Sequence, residues 1–412
     1  MTFLGTLRKE FSFIEGNYAI IVISWILIDF AGEIPATYYA LYVLKLGATE
    51  TILGIIGLMG FLALASMQFP GGYLADKFGR KWLVSSMTFG VALSFILYAL
   101  APSWPIILIG VVLMNFFNSI YQPALMAIVS DSLPSEKRGM GFSIIMLITS
   151  TSTTPGPLVA GLLYNQFGLV QGMRIAYGIV VALFLIAAFL RFRLKETFIN
   201  TPKPSWKEFF RSYPTSLRES IKVWGKVPRS MFYLFLSGAV MMFGVAAVQL
   251  YLVDYAVNVL LVDKAIWAYV LTALPITMII LSIPIGKFVD KFNRKVPILA
   301  AYVFIFGSLL LFVHGNLLLL FLSLMLLGVG LVMINSGSSA LQADLTPKES
   351  RGKVQGFSSF FNNIVMALGT ALGGFLYEHC SPQLPFYLAM GFIVPAFLLT
   401  LTMVHESQKR EE

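Results

Sequence analysis

The chain alternates between long apolar stretches and short polar breaks. Twelve of the stretches are long enough to cross a bilayer, because about 20 apolar residues in a helix span roughly 30 Å of hydrocarbon. Lipid offers no partner for backbone N–H and C=O groups, which favours helices over open strands. We therefore predict an all-α membrane protein with twelve spans, at residues 18–44, 51–75, 82–101, 104–130, 139–164, 172–193, 229–256, 265–289, 296–313, 315–340, 352–377 and 384–404.

The polar breaks of the first half recur in the second half. Residues 72–81 read GYLADKFGRK and residues 286–295 read GKFVDKFNRK, with six identities at an offset of 214. The next break recurs as well, since Asp131 and Asp344 correspond at an offset of 213. Such a repeat predicts two pseudo-symmetric bundles of six helices. Parallel repeats of this kind occur in secondary transporters, which bind their substrate where the halves meet.

The repeat also sets the predicted domain boundaries. We predict an N-terminal bundle at residues 1–193, a C-terminal bundle at residues 229–412 and a linker at residues 194–228 between them. Aromatic and apolar residues of the linker, including Trp206 and Trp224, recur at helical spacing with basic residues between them. This pattern is typical of an amphipathic helix at a membrane surface.

Composition narrows the class of protein. Hydrophobic residues make up 58% of the 412 residues and charged residues 12%, about half the charged fraction of a soluble protein. The single cysteine, Cys380, excludes an intramolecular disulfide, and the three histidines share no spacing typical of a metal site. No nucleophile–base pair or phosphate-binding loop can be assembled from the sequence. We therefore predict that the protein is not an enzyme and needs neither a metal nor a cofactor.

The net charge of +9 indicates how the chain is oriented in the membrane. In the predicted topology, 26 of the 29 basic residues lie on one side, and Arg191 at the end of the sixth span is one of them. Cytoplasmic loops carry the excess of Lys and Arg, so we expect both termini on the cytoplasmic side of the cell membrane. Because the basic residues occupy short loops between spans, they favour contact with membrane lipid over binding of nucleic acid.

The loop after the second span carries the most specific motif of the sequence. It follows the pattern G-x-L-A-D-x-x-G-R-K, through Gly72, Leu74, Ala75, Asp76, Gly79, Arg80 and Lys81. With this loop and the repeat, the sequence resembles the major facilitator superfamily over nearly its whole length. The resemblance implies alternating access by two rocking halves, with a cytoplasmic gate at this loop. Arg80 can reach Asp131 at the end of the fourth span, and the equivalents in the second half are Asp290, Arg294 and Asp344.

A second motif, in the fifth span, resembles the drug/proton antiporter branch of that family. Residues 156–161 read GPLVAG, which looks like the G-P-x-x-G-G element with Ala160 in place of one glycine. Gly156, Pro157 and Gly161 are expected either to bend the helix and block a leak path or to permit ordinary close packing. The sequence departs from this branch in the fourth span, where residues 111–129 contain no arginine.

Two carboxylates lie in the middle of the first predicted span. The other 18 of the 20 acidic residues fall at span ends, in loops or in the tails. A charged Asp at the centre of a membrane helix costs about 2.5–3.5 kcal/mol on insertion scales, so Asp29 and Glu33 need a reason to be there. Their i, i+4 spacing puts them on one face, where two like charges in a dry site are not easily both ionised. No basic residue is predicted at their depth, and we therefore predict that they bind and release protons.

The remaining candidates are scattered polar or adaptable side chains of the spans. The residues predicted to line a substrate cavity are Tyr38, Asn115, Asn118, Gln122, Met242, Gln249, Asn335 and Asn362. Together they describe an apolar cavity with amides, in which the only buried charge is negative.

This combination favours a secondary transporter driven by the proton gradient. We predict a monomer that exports amphipathic or cationic small molecules in exchange for protons. A proton-coupled symporter or uniporter of a nutrient or metabolite is an alternative, and a lipid flippase on the same fold is another.

Overall fold

The computed structural model describes residues 13–68, 74, 79–134, 138–197, 214, 217–219, 221–222, 224–225, 227–291, 294–346 and 351–405. Within these ranges the chain is almost entirely helical, and the all-α prediction is confirmed. The first half contains α1 (Gly16–Ala36), α2 (Tyr39–Lys45), α3 (Glu50–Ser66), α4 (Arg80–Leu100), α5 (Trp104–Ser132), α6 (Arg138–Thr153) and α7 (Gly156–Arg191). The second half contains α8 (Arg229–Gln249), α9 (Leu252–Asp254), a π-helix (Tyr255–Val259), α10 (Lys264–Lys291), α11 (Lys295–Val313), α12 (Leu317–Leu345), α13 (Arg351–His379) and α14 (Leu384–Met403).

The number of membrane-crossing helices is close to the predicted twelve. In the described part of the chain, ten helical stretches are long and apolar enough to cross a bilayer by length and composition. One of them, Leu147–Arg191, contains parts of both the fifth and the sixth predicted spans, and Glu50–Ser66 is apolar but shorter, at 17 residues. These two cases account for the difference between ten stretches and twelve predicted spans.

Glycine and capping residues determine where several helices end. Gly168 has a φ of 72° and breaks α7 between the fifth and sixth spans, in a left-handed conformation that glycine adopts without a Cβ clash. Thr49 Oγ1 accepts a hydrogen bond from the Ile52 N–H at 3.3 Å and caps the start of α3. Asn316 Oδ1 caps α12 in the same way, accepting from the Leu319 N–H at 3.1 Å.

The two halves meet chiefly where α3 lies against α13 and where α7 lies against α10. Small residues permit this close approach. A Cβ added to Gly54 of α3 would lie 2.6 Å from the Thr370 O of α13. A Cβ added to Gly161 of α7 would lie 3.1 Å from the Ala268 Cβ of α10. Backbones can therefore pack at short distance, as they do between membrane helices with small residues at their interfaces.

In the described ranges, the hydrogen bonds between the two halves lie toward one end of the helices. We call the end that carries Lys264 and the starts of α3 and α10 the opposite face, and the end that carries the starts of α4 and α11 the basic face. The Tyr38 hydroxyl donates to the Lys264 O at 2.6 Å, and the Tyr251 hydroxyl donates to the Glu50 O at 3.1 Å. In this conformation the halves are therefore held together at the opposite face.

Little of the predicted linker helix can be compared with the structure, because most of residues 198–226 lie outside the described ranges. Of the described linker residues, Trp224 packs against Phe235 of α8 and Phe357 of α13, with ring centroids 4.6 and 5.6 Å away. The Lys353 ammonium donates a hydrogen bond to Glu219 Oε2 at 2.9 Å and holds the pKa of that carboxyl below its usual value. The end of the linker is thus attached to the second half.

Candidate transport site

The two carboxylates of the first span lie one turn apart on α1 and face the fifth span. Asp29 and Glu33 are both half-buried, and Glu33 lies within the electrostatic influence of Asp29. A Cβ added to Gly156 would lie 2.6 Å from Glu33 Cβ, so this glycine lets α7 begin directly beside the carboxylate. Thr149 of α6 lies beside Asp29, whose Oδ2 is buried and has no hydrogen-bond partner among the described residues.

One basic side chain lies inside the first half, closer to the basic face than these carboxylates. Arg191, which the sequence places with the cytoplasmic loops, is fully buried at the end of α7, with an exposure of 0%. Its Nε donates to Ser24 Oγ at 3.0 Å and its Nη1 to Thr88 Oγ1 at 2.7 Å. The guanidinium carbon lies 5.3 Å from the centroid of the Tyr121 ring. The side chain therefore turns inward among α1, α4 and α5.

The rotation of α7 about its own axis determines whether Arg191 points into the helix bundle or into the loop that follows. Arg191 and Arg193 are two residues apart in the sequence, yet the first is buried and the second is exposed. The sequence held a weak signal in Ser24 and Thr88, two hydroxyls near the same end of otherwise apolar spans. Hydroxyls of this kind also bond their own helix, so the signal does not identify a partner.

Ion pairs join neighbouring helices at the basic face. Arg80 at the start of α4 pairs with Asp131 near the end of α5. Arg294, just before α11, pairs with Asp344 near the end of α12 and also donates to the Ala340 O at 2.8 Å. The two pairs occupy equivalent places in the two halves. Each pair connects helices within one half.

The rest of the predicted gate is only partly described. Gly79 precedes α4 with a φ of 86°. Glu196, which the sequence analysis did not single out, accepts from the backbone N–H groups of Arg80 and Lys81 at 3.2 and 3.0 Å. A carboxylate at a helix N-terminus is stabilised by the free N–H groups and the helix dipole. Gly72, Asp76 and the side chain of Asp290 lie outside the described residues.

The fifth predicted span is two helices rather than one. α6 ends at Thr153 and α7 begins at Gly156, with Pro157 in its first turn. Glu33 lies beside the first residue of α7, and Gly161 contacts α10 a little more than one turn later. The three motif residues therefore lie where α7 adjoins both the carboxylate pair and the second half.

A cavity of about 280 Å³ lies in the first half, among α1, α3, α4, α5 and α7. Its walls are mainly apolar and aromatic, and Leu250 of the second half also reaches it. Of the predicted cavity residues, Asn115 lines it, with its amide nitrogen bonded to the Val111 O at 2.9 Å. Gly32, the residue before Glu33 on α1, also lies in its wall. The aromatic residues around it are Tyr39, Phe61, Phe95, Tyr98 and Tyr177.

A second cavity, of about 170 Å³, lies in the second half among α8, α11, α12 and α13. Three predicted residues line it, namely Met242, Asn335 and Asn362. Its polar groups are amides and hydroxyls, and none of its described lining residues carries a formal charge. Asn362 Oδ1 and Ser358 Oγ are buried there without a hydrogen-bond partner in the described part of the chain.

The other predicted cavity residues lie elsewhere. Gln249 lines a third cavity of about 120 Å³ between the halves. Tyr38 is 1% exposed and serves as a contact between the halves. Asn118 and Gln122 are half-buried on α5 and line neither of the two larger cavities. The eight residues therefore do not share one cavity in this conformation.

Comparisons with known proteins agree with this arrangement. Residues 19–266 and 234–412 match the Major Facilitator Superfamily. The chain is 28% identical over 367 residues to Multidrug resistance protein MdtH of Salmonella arizonae, covering 85% of each chain. It is 23% identical over 344 residues to an uncharacterized MFS-type transporter of Methanocaldococcus jannaschii, covering 83% of this chain and 86% of that protein. The crystal structure of the nucleoside transporter NupG superposes with a TM-score of 0.73 at 15% identity, covering 95% of this chain and 100% of that chain.

Proposed function

Since the chain belongs to the major facilitator superfamily, and so is a transporter rather than an enzyme, we propose that it exports amphipathic or cationic small molecules in exchange for protons. The observation that carries the proposal is the pair Asp29 and Glu33, half-buried in the second half of α1. A carboxylate in a site of this kind can hold either a proton or a cation, but not both. Competition of that kind is what proton antiport requires.

The cycle that we propose follows from the orientation of the basic loops. If the basic face is cytoplasmic, the conformation described is closed toward the outside, with Tyr38 and Tyr251 bonded across the halves. A cation then reaches the carboxylates from the cytoplasm, and a proton leaves to the same side. Rocking of the halves exposes the loaded site to the outside, where a proton displaces the cation.

The cavity of the first half supports an amphipathic substrate. Its aromatic side chains offer flat apolar surfaces and electron-rich rings, which favour lipophilic groups and cations. Gly32 connects its wall to the carboxylate pair one residue further along α1. The multidrug resistance protein among the relatives is in keeping with such a substrate. We propose that the protein acts as a monomer.

The test uses inside-out membrane vesicles, energised by respiration, with ethidium as the transported cation. We expect ethidium to accumulate in wild-type vesicles and its addition to release protons from the lumen. Asp29→Asn and Glu33→Gln are each expected to abolish the proton release. Glu15→Gln, an exposed carboxylate just before α1, is the matched control and is expected to retain it. Retention of proton-driven uptake in both carboxylate variants would contradict the proposal.

The second cavity favours one other candidate function, transport of a neutral polar nutrient. Its amides and hydroxyls can bond an uncharged solute, and relatives by fold include nucleoside and peptide transporters. Uptake of a labelled nucleoside into whole cells, driven by an imposed pH gradient, would favour this alternative. Loss of that uptake in Asn335→Leu, with ethidium export unaffected, would establish it as a separate activity.

A further inference from the structure

We propose that Arg191 is the fixed counter-charge of Asp29 and favours release of its proton toward the basic face. Arg191 is a positioning residue, since it acts through Asp29 and its side chain is fully buried and lines none of the three cavities described above. The inference deepens the proposed proton coupling and rests on it. It concerns a residue that neither the sequence motifs nor the family comparison singles out.

The first observation is that the Arg191 guanidinium is buried and has no carboxylate bonded to it among the residues described. Its hydrogen-bond partners, Ser24 Oγ at 3.0 Å and Thr88 Oγ1 at 2.7 Å, are neutral, and the Tyr121 ring adds only a cation–π contact. Its Nη2 is buried with no hydrogen-bond partner among the described residues. A buried charge is costly unless it is compensated, so an anion nearby is expected.

The second observation is that Asp29, like Arg191, has a buried polar atom whose hydrogen-bonding capacity is unused. Asp29 Oδ2 is buried and lacks a hydrogen-bond partner in the described ranges. Ser24, which holds the guanidinium, lies five residues before Asp29 on α1, a rise of about 7.5 Å. Because Arg191 is bonded to Ser24 and Asp29 follows on the same helix, the two charges are near enough to interact in the low-dielectric interior. The arginine thus lies on the basic-face side of the carboxylate.

The other groups around the pair leave these two charges dominant. From α1, Glu33 adds a like charge on the far side of Asp29. From α5, Tyr121 is the titratable group, while α4 contributes the neutral Thr88 and α6 the neutral Thr149. Asp29 therefore has an anion toward the opposite face and a cation toward the basic face. The cation stabilises its ionised form, which favours departure of the proton on that side.

A purely structural role for Arg191 predicts something different. The guanidinium connects α7 to α1, α4 and α5, so its removal is expected to lower stability in either case. A structural connection alone would leave the protonation of Asp29 unchanged. The test therefore measures that protonation directly and does not depend on any substrate.

The experiment is an infrared titration of purified protein in lipid nanodiscs. The Asp29 signal is the carboxylic acid C=O band that disappears in Asp29→Asn. In Arg191→Gln we expect the pH midpoint of this band to rise by on the order of one pH unit, since a positive neighbour is lost. Arg191→Lys keeps the charge and is expected to retain the wild-type midpoint. Equal midpoints in wild type and Arg191→Gln would overturn the inference, even if ethidium export and its proton release were established.

Folding of the variants provides the second readout. If Arg191→Gln does not fold, the inference is tested by the amount of folded protein obtained for the double variant Asp29→Asn/Arg191→Gln. This variant removes both charges together. Recovery of folded protein supports the pair, since removal of both partners costs less than removal of one. Failure of the double variant to fold means that Arg191 acts only as a structural connection and contradicts the inference. If ethidium export fails in the vesicle assay, proton antiport is wrong while the infrared titration still reports the charge pair.

Discussion

Asp254 and Asp29 show how the same type of side chain serves stability in one place and a proposed proton site in another. Asp254 is 3% exposed, and it accepts from Asn258 Nδ2 at 2.5 Å and from the Tyr377 hydroxyl at 2.7 Å. Asp29 is half-buried and keeps one oxygen without a hydrogen-bond partner in the part of the chain described. A carboxylate bonded on both oxygens is held in place, whereas one with a free oxygen can exchange ligands. Depth in a span alone does not separate the two.

We predict that Asp254 stabilises the fold. Asp254→Ala leaves the Asn258 amide and the Tyr377 hydroxyl buried without their acceptor, which costs about 1–3 kcal/mol for each group. The expected result is a lower unfolding temperature in detergent, measured by intrinsic fluorescence. Asp254→Asn keeps the shape and one acceptor oxygen and is expected to lose clearly less. Equal losses in the two variants would show that the hydrogen bonds contribute little.

At the residue scale, the candidate site was predictable only in part. Asp29 and Glu33 stand out in the sequence because charged residues are rare in the middle of apolar spans. Arg191 does not stand out, because a basic residue at the end of a span is what the positive-inside rule leads us to expect. Its burial depends on the rotation of α7 and on hydroxyls from two other helices, information that one sequence does not carry.

Among the helices, apolar length was enough to locate the spans but not their breaks. The chain leaves the helical conformation between α6 and α7 and again at Gly168, so that one apolar run and its neighbour become three helical pieces. Hydropathy averages over such breaks, because the residues on either side remain apolar. Apolar length did not predict the close approach of α3 and α13 either, because that approach depends on which faces of the two helices carry the glycines.

Packing of α3 against α13 gives a prediction about closure of the opposite face. Gly54→Val places a branched side chain where a Cβ alone would lie 2.6 Å from the Thr370 O, so the two helices must separate. We expect transport of ethidium into inside-out vesicles to be lost while ethidium binding to purified protein is retained. Gly307→Val on α11 is the control, since nothing lies within 4 Å of a Cβ added there. Loss of transport in both variants would point to a general loss of folding.

For the molecule as a whole, the contacts between the halves favour one conformation of a cycle. The Thr51 N–H donates to Glu378 Oε2 at 2.8 Å, at the same face as the bonds from Tyr38 and Tyr251. Among the residues that the structure describes, the ion pairs between helices at the basic face lie within the halves, as with Arg80 and Asp131. Rigid halves joined at one end can rock about the region between them, which is what alternating access requires.

A crosslink at the opposite face tests this rocking. In a Cys380→Ser background, which removes the single native cysteine, we replace Thr51 and Glu378 by cysteine. We expect oxidation to join the halves readily, to stop ethidium transport and to be reversed by reduction. Thr51→Cys alone, treated in the same way, is expected to keep transporting. Full activity of the oxidised double variant would show that the face does not open during transport.

The hydrogen bonds that close the opposite face tolerate substitution of their acceptor residues better than substitution of their donor residues. In two of them the acceptor is a main-chain carbonyl, that of Lys264 or Glu50, and the donor is a tyrosine hydroxyl. Every amino acid carries that carbonyl, so replacing Lys264 or Glu50 leaves the acceptor in place. Only a residue with a hydroxyl at the end of a long rigid side chain can stand in for Tyr38 or Tyr251. In a saturation mutagenesis library selected for transport, positions 38 and 251 should therefore accept few substitutions, and positions 264 and 50 many.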